Sequence, residues 1–152
     1  MAYKLDQITI RTNNSKEGMQ IISDIWKDIT SGELPILFDS EHVFQQGISP
    51  VSKYSNYSSD ENGDYDLTIM AVTGDFFQKM DVEVSKGFYK KYVEKCEDGE
   101  ISVCARKAWE KVWDAEKSGH IHRTFTEDFE STVPSEYTKD GKAHCYLYIA
   151  IQ

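Results

Sequence analysis

Trp109-Glu110-Lys111-Val112-Trp113, followed by Ser118-Gly119 and then Phe125, is the stretch on which the reading turns. Its counterpart in the first half is Ile25-Trp26, followed by Ser31-Gly32 and then Phe38. Ile25 and Val112, the tryptophans, the Ser-Gly pairs and the phenylalanines share a single offset of 87 residues (Trp26 to Trp113). Tryptophan is rare, and Ser-Gly is a physically sound helix stop, because glycine accepts the left-handed backbone that ends a helix. The two stretches read as helices at matching places in a repeated unit.

Working outward, Tyr3 to Thr12 is β-branched around Ile8 and Ile10 and reads as a strand. Asn13-Asn14-Ser15 offers capping side chains, and Glu17 places a negative charge in the first helical turn. Met19, Ile22, Trp26 and Ile29 then recur at spacings of three and four, which predicts an amphipathic helix ended by Gly32 and Pro35. Strand-like stretches follow at Val43 to Tyr54 and Tyr65 to Val72, around the polar loop Ser55 to Asp64. The second half repeats the order. Val82 to Glu94 is strand-like with Gly87 as a bulge, and Glu97-Asp98-Gly99 turns. Ser102 caps a helix carrying Val103, Ala108, Val112 and Ala115. Thr124 to Val133 is a strand, Pro134 and Lys139-Asp140-Gly141-Lys142 turn, and Ala143 to Ile151 closes the chain. The closing strands also align, Asp66 to Ala71 on Tyr146 to Ile151. The expectation is an α+β domain over 1–152, built of duplicated βαββ modules at about 1–75 and 76–152. A sheet unit buries one face under its helix, so the modules should form a curved antiparallel sheet with both helices on one face and a groove on the other.

The chain has 152 residues, 39% of them hydrophobic and 28% charged, which is globular rather than disordered. Twenty-six acidic against 17 basic side chains give a net charge of −9, which disfavours direct nucleic-acid binding and favours cations. Cys96, Cys104 and Cys145 form no metal-type spacing and read as reduced thiols of a cytoplasmic protein. No signal peptide and no membrane-spanning stretch is visible. No phosphate loop, dinucleotide fingerprint or nucleophile elbow occurs. His120 and His122 form an HxH pair, with His42 and His144 elsewhere, and no third ligand is indicated by spacing. No metal and no cofactor are expected.

Gly87-Phe88-Tyr89, Ala108-Trp109-Glu110-Lys111-Val112-Trp113, Ser118-Gly119, Asp128-Phe129-Glu130 and Tyr146-Leu147-Tyr148-Ile149-Ala150-Ile151 together resemble an effector-binding domain family. That family is shared by bacterial AraC/MerR-type regulators of drug response, stand-alone DNA gyrase inhibitor proteins and integron-associated effector-binding proteins. Ala150 replaces the usual proline of the final strand, and Ser131 stands where a basic or bulky residue is common. The resemblance implies an SHS2-type fold and a groove for lipophilic cations, with a buried glutamate as counter-charge and aromatic walls. It also implies the sensing half of a transcription regulator, since the two repeats leave no room for a helix-turn-helix pair.

Strand alternation sorts the side chains. Cys145, Leu147, Ile149 and Ile151 should face the helices, leaving His144, Tyr146, Tyr148 and Ala150 toward the groove. Leu67, Ile69 and Ala71 likewise point inward, with Asp66, Thr68 and Met70 outward. The resemblance places Glu130 in the groove. The candidate ligand-binding set is Glu130, Tyr146, Tyr148, Tyr92, Trp109 and Asp66, with no catalytic residue assigned. Trp26 and Trp113 read as core anchors. The function expected is stand-alone binding of a small amphipathic cationic, aromatic molecule. Two alternatives stand beside it: a hydrolase using the groove glutamate as general base, with Tyr146 or Tyr148 as partner, and gyrase-inhibitor-like action on a protein partner. The plain alternative for the tyrosines is that they cover a sheet face.

Overall fold

A computed structural model describes residues 5–41, 43, 48–60, 62–96, 101–133 and 143–152. The fold is mixed α+β, with six strands and three helices among the described residues, and every strand pairing described below is antiparallel. It divides into two compact units, Met1–Asp75 and Phe76–Gln152.

The first unit runs β1 (Gln7–Thr12), α1 (Lys16–Ser31), β2 (Ser49–Ser55) and β3 (Tyr65–Val72), with β3 between β1 and β2. Ser15 caps α1, its side chain accepting the Gly18 N–H at 3.1 Å. Gly18 is required here, because a Cβ at that position would lie 2.2 Å from the Asn13 carbonyl oxygen. Gly32 ends the helix in the left-handed conformation at φ 87°. Ile22, Ile25, Trp26 and Ile29 face a core of Ile36, Tyr65, Leu67 and Ile69. Met19 is half exposed instead, and Ile25 takes its place on the apolar face.

The second unit takes in α2 (Gly74–Ser85) from Phe76 on and continues with β4 (Tyr89–Cys96), α3 (Ile101–Lys117), β5 (Glu127–Val133) and β6 (Ala143–Ala150), with β6 between β4 and β5. Helix α2 was not expected. Met80, Val82 and Val84 alternate like a strand, yet Phe76, Phe77, Met80 and Val84 also recur at helical spacing, and the helix prevails with Met80 buried and Val82 exposed. Gly87 is therefore a helix end and not a bulge. At φ 86° its N–H reaches Val84 O at 3.0 Å, and the Phe88 N–H reaches Glu83 O at 3.1 Å. Gly119 repeats the device at φ 80°, with its N–H on Glu116 O and that of His120 on Ala115 O. Ser102 is the second residue of α3 and not its cap, and β5 begins at Glu127 instead of Thr124. The turns expected at 97–99 and 134–142 and His42 lie outside the described residues.

Cys104, Ala108 and Val112 of α3 pack on Cys145, Leu147 and Ile149 of β6, all at or near zero exposure. Each buried aliphatic side chain of this kind contributes about 1.5–3 kcal/mol. At the end of this core lies a charge pair. The Arg123 guanidinium donates to Asp128 Oδ2 at 2.9 Å, with both side chains 1% exposed or less. Asp128 Oδ1 accepts the Ala150 N–H at 2.9 Å, and Glu116 stands 3.7 Å from Arg123. Removing one member of a buried pair strands the other charge at a cost of about 3–5 kcal/mol. Asp128→Ala should lose about that much in urea unfolding followed by tryptophan fluorescence, and Asp128→Asn less, since its amide oxygen still serves Ala150. A loss below about 1 kcal/mol for Asp128→Ala would show that the pair does not anchor the unit.

Candidate functional site

The registers of β4, β5 and β6 decide which expected site residues meet. Directly opposed residues of antiparallel strands share a face. Glu130 opposes Leu147, and Tyr92 opposes the same residue from the other side. Leu147 is core beneath α3, so Glu130 and Tyr92 lie on the α3 face together with Trp109. Phe129 opposes Tyr148 and Ser131 opposes Tyr146, so the two tyrosines are on the other face. The expectation that Glu130 shares a surface with Tyr146 and Tyr148 is thus corrected by the register, which alternation within one strand cannot supply. Asp66 belongs to the first unit, where it pairs with Arg11 at 3.2 Å and accepts from Asn56 Nδ2 at 3.1 Å.

On the α3 face, the Trp109 indole N–H donates to Glu130 Oε1 at 3.1 Å. Cys145 Sγ lies 4.0 Å from the same oxygen, and burial, followed by the Glu130 charge, pushes that thiol far up. One helical turn on, Trp113 stacks on Trp109 with ring centroids 6.2 Å apart and planes at 29°. Trp113 is thus not the core anchor its position suggested. Its Nε1 is buried and has no hydrogen-bond partner among the described residues. Arg123 borders the cluster, its guanidinium carbon 5.8 Å from the Trp109 ring and 4.3 Å from that of Phe125. Phe125 holds this contact with a left-handed φ of 54°. The result is a half-buried carboxylate with an indole donor, beside two parallel indoles.

The opposite face carries a different chemistry. Lys91 Nζ is 3.1 Å from Asp81 Oδ1, and 5.6 and 5.4 Å from the ring centroids of Tyr146 and Tyr148. Burial opposes its charge, but the bonds to Asp81 and to the Tyr148 hydroxyl outweigh this and raise its pKa. His144 Nδ1 is 3.0 Å from the Tyr146 hydroxyl. Phe76 of α2 meets Phe129 edge-on at 5.2 Å, so α2 covers part of this face. The tyrosines expected to receive an external cation already have a lysine. Sequence reasoning missed Lys91, Asp81 and the Arg123–Asp128 pair. Asp128 and Glu130 at spacing two, on a strand, were the available signal for two acids facing one helix.

No known family description matches the chain. No curated protein matches it either. Among solved structures it is similar to an integron cassette protein from the mobile metagenome of Vibrio cholerae, at 16% identity and a TM-score of 0.58. The match covers 100% of this chain and 95% of that one, and it is a likeness of fold. No helix among the described residues is long and apolar enough to cross a membrane, and no group of three His, Cys, Asp or Glu among them could hold a metal ion.

The tyrosines of the second unit give a pH signature. Burial, then the charges of Glu127, Asp128 and Glu83, push Tyr89 from 10.0 up to about 12. Burial likewise raises Tyr92 and Tyr148. Because these folded-state values exceed the unfolded ones, their contribution to stability is complete below pH 10 and is lost as pH climbs toward 12. Phenolate absorbance should therefore rise in two steps, the later one coinciding with loss of helical ellipticity and shrinking in Tyr89→Phe. A single step centred near pH 10 with the fold intact would contradict this.

Proposed function

We propose that the chain is an effector-binding protein for small amphipathic aromatic cations, with Glu130 as the counter-charge and the Trp109–Trp113 pair as the aromatic wall. The observation that carries this reading is the Trp109–Glu130 hydrogen bond beside the stacked indoles. A carboxylate partly out of water gains from an arriving cation, because pairing offsets its desolvation. Indole is the aromatic face that attracts cations best, by about 0.5–2 kcal/mol as water is excluded. Tyr92 adds aromatic surface on the same face.

The resemblance to effector-binding domains supports the reading. So does the order strand–helix–strand–strand, which in the second unit follows the additional helix α2; each unit has its last strand in the middle of three, which fits duplicated βαββ modules. Buried free thiols at Cys96, Cys104 and Cys145 fit a reducing, cytoplasmic setting. Tyr146 and Tyr148, the partners a hydrolase reading would give the glutamate, are on the far face from Glu130. Binding is therefore preferred to catalysis.

The test is titration of the native protein and of Glu130→Gln with a rhodamine-type dye and with tetraphenylphosphonium, read by tryptophan fluorescence. Micromolar affinity falling about tenfold in Glu130→Gln, or about 1.4 kcal/mol, is the expected result. Absence of binding to the native protein overturns the cationic-effector reading, and equal affinity for both proteins removes Glu130 from it.

A further inference from the structure

The chain holds four asparagines, and the fold treats one of them differently. Asn13 donates from Nδ2 to Asp64 Oδ1 at 2.9 Å, and Asn56 from Nδ2 to Asp66 Oδ2 at 3.1 Å. Asn14 Oδ1 accepts the Tyr65 hydroxyl at 2.7 Å. Asn62 is bound through its backbone alone, its N–H on Asp60 Oδ1 at 2.9 Å. It is exposed, and its carboxamide makes no bond among the described residues. It is also the one asparagine followed by glycine. A glycine has no Cβ beside its nitrogen, so that nitrogen can close on the preceding side chain with the least steric resistance. The Gly63 N–H rests on Asp60 O at 3.1 Å, a turn bond in a surface loop of the kind that opens by local fluctuation.

We propose that Asn62 is a site of spontaneous deamidation, and that its isoaspartyl product loosens the 58–64 loop from the start of α1. The Gly63 nitrogen, its proton lost to solvent base, bonds to Asn62 Cγ, and the Cγ–Nδ2 bond breaks to release ammonia. Water then opens the succinimide ring. Opening at Cγ gives aspartate on an unchanged backbone. Opening at the main-chain carbonyl gives isoaspartate, whose chain runs through Cγ and is one methylene longer. Either product adds one negative charge to the net −9. The loop has no slack for the methylene, since a Cβ on Gly63 would already run into the hydroxyls of Ser58 and Ser59. Asp64 is pinned next to it, its N–H on Ser58 Oγ at 2.9 Å and its carbonyl accepting the Ser58 N–H at 2.8 Å. The Asp64 carboxylate holds Asn13, whose Oδ1 accepts the Ser15 N–H at 3.1 Å, and Ser15 caps α1. A longer chain at 62–63 therefore pulls on the helix cap through Asp64 and Asn13.

The test keeps the full chain for days in mildly alkaline buffer, then digests it and maps the peptides by mass spectrometry. The peptide holding Asn62 should gain one mass unit about tenfold faster than those holding Asn13, Asn14 and Asn56, and should split into Asp and isoAsp forms. Asn62→Gln should keep its mass there, because its longer side chain closes the larger ring less readily. The deamidated fraction, purified by anion exchange on its added charge, is then compared by amide hydrogen exchange with Asn62→Asp, which carries the same charge on an unaltered backbone. Amides in the first turn of α1, Gly18 among them, should exchange severalfold faster in the isoaspartyl form. No mass gain at Asn62 in the native chain, or an equal rate at the other three asparagines, overturns the site. Equal exchange in the first turn of α1 for the isoaspartyl form and Asn62→Asp overturns the coupling to the helix cap.

Discussion

One guanidinium and one carboxylate, both out of water, determine how the second unit is put together. Isolated, either charge would be prohibitively costly to bury, so the closed core holds Arg123 and Asp128 only as a pair. The pair does more than neutralise itself. Asp128 also takes the Ala150 N–H, and the Arg123 backbone bridges Ile151, so the start of β5 and the end of β6 are tied at one point. With Asp128 turned toward the α3 side, the two-residue period of a strand leaves no choice for its neighbours. Glu130 must face α3 and Phe129 must face away. The candidate ligand carboxylate owes its position to a different, structural carboxylate two residues earlier.

That arrangement separates two kinds of electrostatics on the two faces of one small sheet. Beneath α3, charge is handled by the Arg123 network at one end and by indole and thiol groups around Glu130 at the other. On the far face, the ionic partners are Lys91 and Asp81, with Tyr146 and Tyr148 around the ammonium. A tryptophan pair four residues apart on a helix would ordinarily be read as core. Here only Trp109 packs against the buried cluster, while Trp113 stacks on it from the side.

Much of this was legible in the sequence, for identifiable reasons. α1 and α3 announce themselves by apolar spacing and by Ser-Gly stops, and Gly32 and Gly119 do take the left-handed conformation that those stops require. β3 matches its β-branched run, Tyr65–Val72. The misreadings share a cause. α2 was hidden because Met80, Val82 and Val84 satisfy a strand pattern as well as a helical one, and only burial separates the two. The face of Glu130 was misplaced because alternation gives the phase of a strand relative to itself, whereas pairing with β6 gives it relative to the core. Long-range ion pairs such as Lys91 with Asp81 carry no local signature at all. Trp26 and Trp113 occupy matching positions and have different surroundings, so a repeat in sequence is no guarantee of a repeat in role.

The lysine among the tyrosines has a kinetic and thermodynamic meaning beyond its contribution to packing. Lys91 is joined to its binding place by its own four-carbon stem, so its ammonium is present there at an effective concentration of order millimolar. A free amine reaching Tyr146 and Tyr148 must outcompete a rival that can never diffuse away. On this face of the second unit the rings of Tyr146 and Tyr148 are thus already met by an ammonium that belongs to the chain itself.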